Sequence, residues 1–133
     1  NQHVFNELSI YYANAHYLLT QIKDNLEIEF DIYAEPAKLS LCLPLKSDSE
    51  DYILRFTPGD KNFLEPYFAV QVPESGNDNL KNFIPPIGFW NNKDWTGMVL
   101  LTGDFLSLDP EKEREKVYDF FKTNYEKIID HIK

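Results

Sequence analysis

Between Leu26 and Tyr33 apolar and acidic residues alternate: Leu26, Ile28, Phe30 and Ile32 interleave with Glu27, Glu29 and Asp31. A period of two is the mark of a strand, because successive side chains point to opposite faces. The run predicts a strand with an apolar face toward a core and a ladder of carboxylates about 7 Å apart on the other side. Leu39 to Leu43 alternates again after a turn at Ala34-Glu35-Pro36-Ala37, so residues 26 to 43 read as a hairpin that Pro44 ends or edges. Tyr52 to Thr57, stopped by Pro58-Gly59-Asp60, predicts a third strand, Tyr67 to Val72 a fourth and Thr96 to Leu101 a fifth.

The two ends of the chain carry a different period. Phe5, Leu8, Tyr12, Ala15, Leu19 and Ile22 recur at steps of three and four, with Val4, Tyr11 and Leu18 widening the stripe. They predict an amphipathic helix that stops near Asp24-Asn25. The same two-heptad spacing also suits a helix-pairing seam in a dimer. At the other end Asp109 suits an N-cap, Pro110 the first helical position and Glu111 the first turn. Val117, Phe120, Phe121, Tyr125, Ile128, Ile129 and Ile132 then give a broad apolar face. Residues 73 to 95 break both periods: a turn-forming cluster at 75 to 79 leads into an aromatic, proline-rich stretch with Phe83, Ile87, Phe89, Trp90 and Trp95 around Pro85-Pro86. So long a link in a compact domain is a loop folded under the core or a binding loop. Trp90 and Trp95 are its candidate anchors, since tryptophan buries a large area with few rotors.

These elements predict an α+β fold, residues 1 to 133 forming one domain: an antiparallel β-meander of about five strands with the N-terminal and C-terminal amphipathic helices packed on one face. Composition agrees with a packed core. Of 133 residues 43% are hydrophobic and 15% aromatic, and a domain of this size buries roughly two-thirds of the surface its unfolded chain exposes. The formal charge of −9 opposes a phosphate backbone, whose binding rests on Lys and Arg; no nucleic-acid partner is expected. A basic protein partner suits that charge, as does plain solubility. Cys42 stands alone, which points to a reducing cytoplasm and to a small buried or half-buried hydrophobe. No apolar run approaches the roughly 20 residues that span a bilayer, so no membrane role is expected.

The search for chemistry yields surfaces rather than a reactive centre. Glu27, Glu29 and Asp31 on one strand face splay apart, whereas oxygen ligands converge to about 2.3 to 2.6 Å from a calcium ion. The ladder therefore reads first as a solvated face and next as a surface for a cationic partner, with Asp48, Glu50 and Asp51 as a second acidic patch. His3, His16 and His131 lack metal-ligand spacing. His131 suits a helix C-terminus, and a two-His site with His16 requires the terminal helices to pack together. Ser75 lacks the nucleophile-elbow glycines, Cys42 has no identifiable His partner, and the five glycines form neither a dinucleotide nor a P-loop fingerprint. No cofactor, metal or catalytic residue is expected, and the chain is read as a non-enzyme; an unrecognised site around His16 is the enzymatic alternative.

In the order of its elements the chain resembles type III secretion chaperones over 3 to 57 and 96 to 133. It departs from them where their middle helix belongs, because 59 to 66 is short and 73 to 95 irregular. It also begins like an E2-type conjugating domain, but its one Cys lies far upstream of Pro85-Pro86 and no such active site is present. In bulk character, small, acidic, single-Cys and rich in Asn, Lys, Ile and Phe, it is similar to bacterial immunity proteins of contact-dependent inhibition systems. That resemblance implies a cytoplasmic, non-enzymatic inhibitor, monomer or homodimer, that neutralises a basic toxin such as a nuclease. Its expected contacts are Glu27, Glu29, Asp31, Asp48, Glu50, Asp51, Trp90 and Trp95. The alternative is a chaperone-like binder of a disordered protein segment.

Overall fold

The computed structural model describes residues 2–37, 39–46, 52–73, 85, 87–104 and 109–132, and for 2–11, 104 and 130–132 the backbone alone. Helix α1 (Gln2–Asn25) buries Ala15, Leu18, Leu19 and Ile22 and half-buries Tyr12, the described part of the expected stripe; the side chains of Val4, Phe5, Leu8 and Tyr11 lie outside the described residues. Its end explains why the alternating segment after it is not a strand. The amide of Ile28 donates to the Lys23 carbonyl at 2.9 Å and that of Glu27 to the Asp24 carbonyl at 3.4 Å, with Glu27 at φ 53. This is a Schellman cap with Glu27 at the left-handed position, and buried Ile28 completes its apolar contact. The Lys23 ammonium then donates to the carbonyls of Ile28 and Phe30 at 3.2 and 2.8 Å. Backbone oxygens that a sheet partner would have bonded are taken by a helix side chain instead.

Strand β1 is consequently only Tyr33–Glu35, and the expected ladder of Glu27, Glu29 and Asp31 does not form. The three are exposed along an irregular segment, while Leu26, Phe30 and Ile32 still pack on the core. The apolar periodicity locates the core side correctly; cap and lysine choose the backbone. Strands β2 (Ser40–Pro44), β3 (Ile53–Thr57), β4 (Tyr67–Val72), β5 (Phe89–Asn91) and β6 (Thr96–Leu101) complete one antiparallel sheet in the order β1-β2-β3-β4-β6-β5. The first four form the expected meander. The unpredicted β5 lies outside β6, so part of the link between 73 and 95 is an edge strand. Pro44 lies beyond the end of β1 and pairs only with β3, which spares its missing N–H.

The register sorts side chains into two faces. Leu43, Leu54, Val70, Met98 and Trp90 form one cross-strand row and Leu41, Phe56, Phe68 and Leu100 the next. Both belong to the main core, with α1 and with helix α2 (Pro110–Ile132). A run of ring contacts crosses that core, Tyr12 to Phe56 to Phe68 to Phe121 to Phe120, at centroid distances of 5.1 to 5.7 Å. The opposite face carries the row Cys42, Arg55, Ala69, Val99 and Phe89 and the row Thr57, Tyr67 and Leu101, with the Ser40 hydroxyl 3.0 Å from that of Thr57. There Tyr67, Ala69 and Val99 make a smaller core with Phe63, Trp95 and Leu101.

Candidate functional site

Helix α2 starts as its sequence prescribes. Asp109 Oδ1 accepts from the Lys112 amide at 3.0 Å, Pro110 opens the first turn, and Glu111 and Glu113 lie where the helix dipole favours acids. Beside its buried face of Val117, Phe120 and Phe121, it turns a second face toward α1. Between the two helices runs a groove of about 460 Å³ lined by Tyr17, Gln21 and Asn25 of α1 and by Glu111, Arg114, Glu115, Tyr118 and Asp119 of α2. Glu111, Glu115 and Asp119 recur at four-residue intervals, so they share one helical face. All three are exposed, and among the described residues none is in an ion pair.

The aromatic walls are held in place. Gln21 Nε2 donates to the Tyr17 hydroxyl at 3.0 Å, and Asn25 Nδ2 donates across the helices to the Tyr118 hydroxyl at 3.3 Å. The cation inside the groove, Arg114, donates from Nε to the Pro110 carbonyl at 3.3 Å. The groove therefore has three carboxylates against one guanidinium. Carboxylates, phenol rings and amide oxygens are the groups that bind an ammonium or a guanidinium. The dipole accounts for Glu111, but Glu115 and Asp119 lie past the first turn, and like charges four apart on a helix are unfavourable.

The candidates expected from the sequence do not form one site. Glu27, Glu29 and Asp31 are exposed in the segment that leaves α1 beyond Asn25 and are not among the residues lining the groove; Asp31 lies within 3.7 Å of Lys23. Asp48, Glu50 and Asp51 lie outside the described residues. Trp90 is half-buried on the helix-facing side of the sheet, and Trp95 is on the opposite side, so the two cannot meet one partner together. His16 is exposed on α1, Cys42 is fully buried, and the side chain of His131 lies outside the described residues. Among the described residues no group of three or more His, Cys, Asp or Glu is arranged to hold a metal ion, and no described helix is long and apolar enough to cross a membrane.

Trp95 lies in a polar cluster that the sequence does not reveal. The Arg55 guanidinium, 3% exposed, lies 4.7 Å from the Trp95 ring centroid and donates to Gln71 Oε1 at 2.9 Å. Trp95 also stacks on Tyr67 with the planes 6° apart. The Tyr67 hydroxyl donates to Asp60 Oδ2 at 2.6 Å. Burial and that bond to a carboxylate push Tyr67 up to about 12, although Arg55 pulls the other way. Burial would raise Asp60, but bonds from Tyr67 and from the amides of Asn62 and Phe63, with the field of Arg55, hold it below the ordinary aspartate value. Trp95 is thus held within the fold by Arg55 and Tyr67. The groove carboxylates escape a reading of the sequence that takes Glu111 only as a helix-start signal; the spacing of Glu111, Glu115 and Asp119 is the available clue. Comparison with protein-family models, curated proteins and solved structures finds no match to this chain.

Proposed function

We propose that this chain is a non-enzymatic protein-binding inhibitor that neutralises a basic protein, as a cytoplasmic bacterial immunity protein neutralises a cationic toxin such as a nuclease. One observation carries the reading: the groove between α1 and α2 presents Glu111, Glu115 and Asp119 with no ion-pair partner among the described residues, in a chain of charge −9. A field of that sign speeds encounter with a cationic surface, and phenol walls that are partly desolvated on docking slow release. Glu27, Glu29 and Asp31, exposed beyond the end of α1, add to the same negative charge. The fixed stacking of Trp95 makes it a support for the sheet rather than the anchor.

The test is capture from the native host with the intact chain and with Glu115→Lys/Asp119→Lys, followed by assay of the captured protein. The unaltered chain should hold a basic protein in a 1:1 complex and suppress its activity. The reversed pair should lose both while keeping its melting temperature. A captured partner that is acidic, or one bound equally by the reversed pair, overturns the reading.

A further inference from the structure

Residues 28 to 32 have the sequence of a strand and the path of a wrap, and one residue stands between the two. Three backbone groups of this segment bond to Lys23. Its carbonyl accepts from the Ile28 amide at 2.9 Å, and its ammonium donates to the Ile28 and Phe30 carbonyls at 3.2 and 2.8 Å. A single nitrogen that reaches both oxygens holds them within about 6 Å of each other, whereas carbonyls two residues apart on one edge of a strand are about 6.6 to 6.8 Å apart. The clasp therefore contracts the segment below strand length. The ion pair with Asp31 at 3.7 Å is to a carboxylate 98% exposed and adds little; the two carbonyls hold the ammonium. None of these residues lines the acidic groove.

The neighbouring strand offers the segment a second place. The register that sets Tyr33 opposite Cys42 continues to Ile32 opposite Leu43, Phe30 opposite Leu45 and Glu29 opposite Lys46. Ile32, Phe30, Leu43 and Leu45 already belong to the main core, so a longer β1 keeps these apolar side chains on the face that buries them. Glu29 and Lys46 would form a cross-strand pair of opposite charge. The Leu45 amide donates to the Tyr52 carbonyl, just before β3, at 2.9 Å, and backbone groups alternate in direction along a strand. Pro44 therefore faces the β1 side. Opposite Asp31 it has no N–H to give, but its carbonyl can accept the Asp31 amide. We propose that Lys23 is a clasp that holds a strand-competent segment off the sheet. Strand β1 then has a short form, with the ammonium on the carbonyls, and a long form over residues 29 to 35 once the ammonium is withdrawn by loss of its charge or by a competing anion. The long form sets Glu29, Asp31 and Tyr33 in one row on the sheet face away from the helices.

The experiment is amide hydrogen exchange by NMR on the intact chain and on Lys23→Met, Lys23→Arg, Pro44→Val and Lys23→Met/Pro44→Val. Glu29 and Asp31 are the residues whose amides point to β2 in the long form, and among the described residues neither amide has a backbone bond in the short one. Lys23→Met, which keeps the apolar stem, should slow both amides about threefold, and adding Pro44→Val, which restores the missing donor, at least about tenfold. Lys23→Arg keeps a charged donor and should leave them fast. Slowing in Pro44→Val alone would assign the short β1 to the proline rather than to Lys23 and overturn the proposal. Exchange that stays fast in the double variant, with the β3 and β4 amides still protected, overturns it as well. Sedimentation should give each variant the mass of the unaltered chain; a larger mass would place the protection between copies and overturn the long form on β2.

Discussion

One backbone angle turns the chain out of α1. Glu27 at φ 53 occupies the position of a Schellman cap at which glycine is favoured, since an L side chain there brings its Cβ against the next carbonyl. The side chain is exposed and makes no ion pair among the described residues, so nothing in its packing offsets that cost. Glu27→Gly should therefore stabilise the protein by about 0.5 to 1 kcal/mol, the relief of the left-handed penalty less the greater freedom of glycine in the unfolded chain. Chemical denaturation would show it as a higher midpoint at unchanged slope, and a lower midpoint would remove the cap from the account of residues 26 to 32. This residue also marks the limit of reading the sequence. Alternation between Leu26 and Ile32 is real and its apolar members do face the core, but period says nothing of whether Lys23 will occupy the carbonyls a sheet needs. Only the three-dimensional reach of Nζ to Ile28 and Phe30 decides between strand and wrap.

At the scale of elements, Tyr67 to Val72 and Thr96 to Leu101 are legible to the residue, and so is the start of α2, because a cap, a proline and paired turn signals bound them. Strand β5 is not, since Phe89–Asn91 is too short for any period to show and its pairing with β6 is a long-range event. What permits that pairing is Gly88, at φ 84. A Cβ there would lie 2.2 Å from the Val99 carbonyl oxygen and 2.9 Å from Phe120. Gly88→Ala therefore sets an added methyl against the backbone of β6 and a core ring of α2 at once, in a conformation alanine resists. It should cost about 3 kcal/mol or more, and it should loosen the edge first. Hydrogen exchange at the β6 amides that face β5 would rise before global unfolding does. Protection that stays at the level of the unaltered chain would mean that β5 is not held by this close approach. The groove is half-legible in the same sense. Four-residue spacing of carboxylates on α2 can be read along the chain, whereas Tyr17, Gln21 and Asn25 become its other wall only because two apolar stripes from opposite ends of the chain dock on one sheet face.

For the molecule as a whole, stability should be bounded on both sides by one hydrogen bond, between buried Tyr67 and half-buried Asp60. Tyr67, fully buried and pushed up to about 12, binds its proton more tightly folded than unfolded, where a tyrosine titrates near 10. Its contribution is complete below about pH 10 and is lost as pH rises toward about 12, by about 2 to 3 kcal/mol over that span. Asp60 is lowered, so it binds its proton less tightly folded than unfolded. Its contribution is complete above the ordinary aspartate range and is lost as pH falls through its depressed value. Tyr12 and Tyr125 are also raised by burial, and they add a background to the alkaline limb that a change at Tyr67 leaves in place. Tyr67→Phe removes the raised phenol and also one of the bonds that lower Asp60. It should lower stability at neutral pH by about 1 to 3 kcal/mol, as loss of a partly buried bond to a charged partner does. It should also flatten the decline between pH 10 and 12 and shrink the acid decline, which then ends at a higher pH. Urea midpoints measured from about pH 2 to about pH 12 would show both limbs shrink together. If the acid limb stays in place while the alkaline limb flattens, Asp60 is held low by Asn62, Phe63 and Arg55 without Tyr67, and the two limbs are independent.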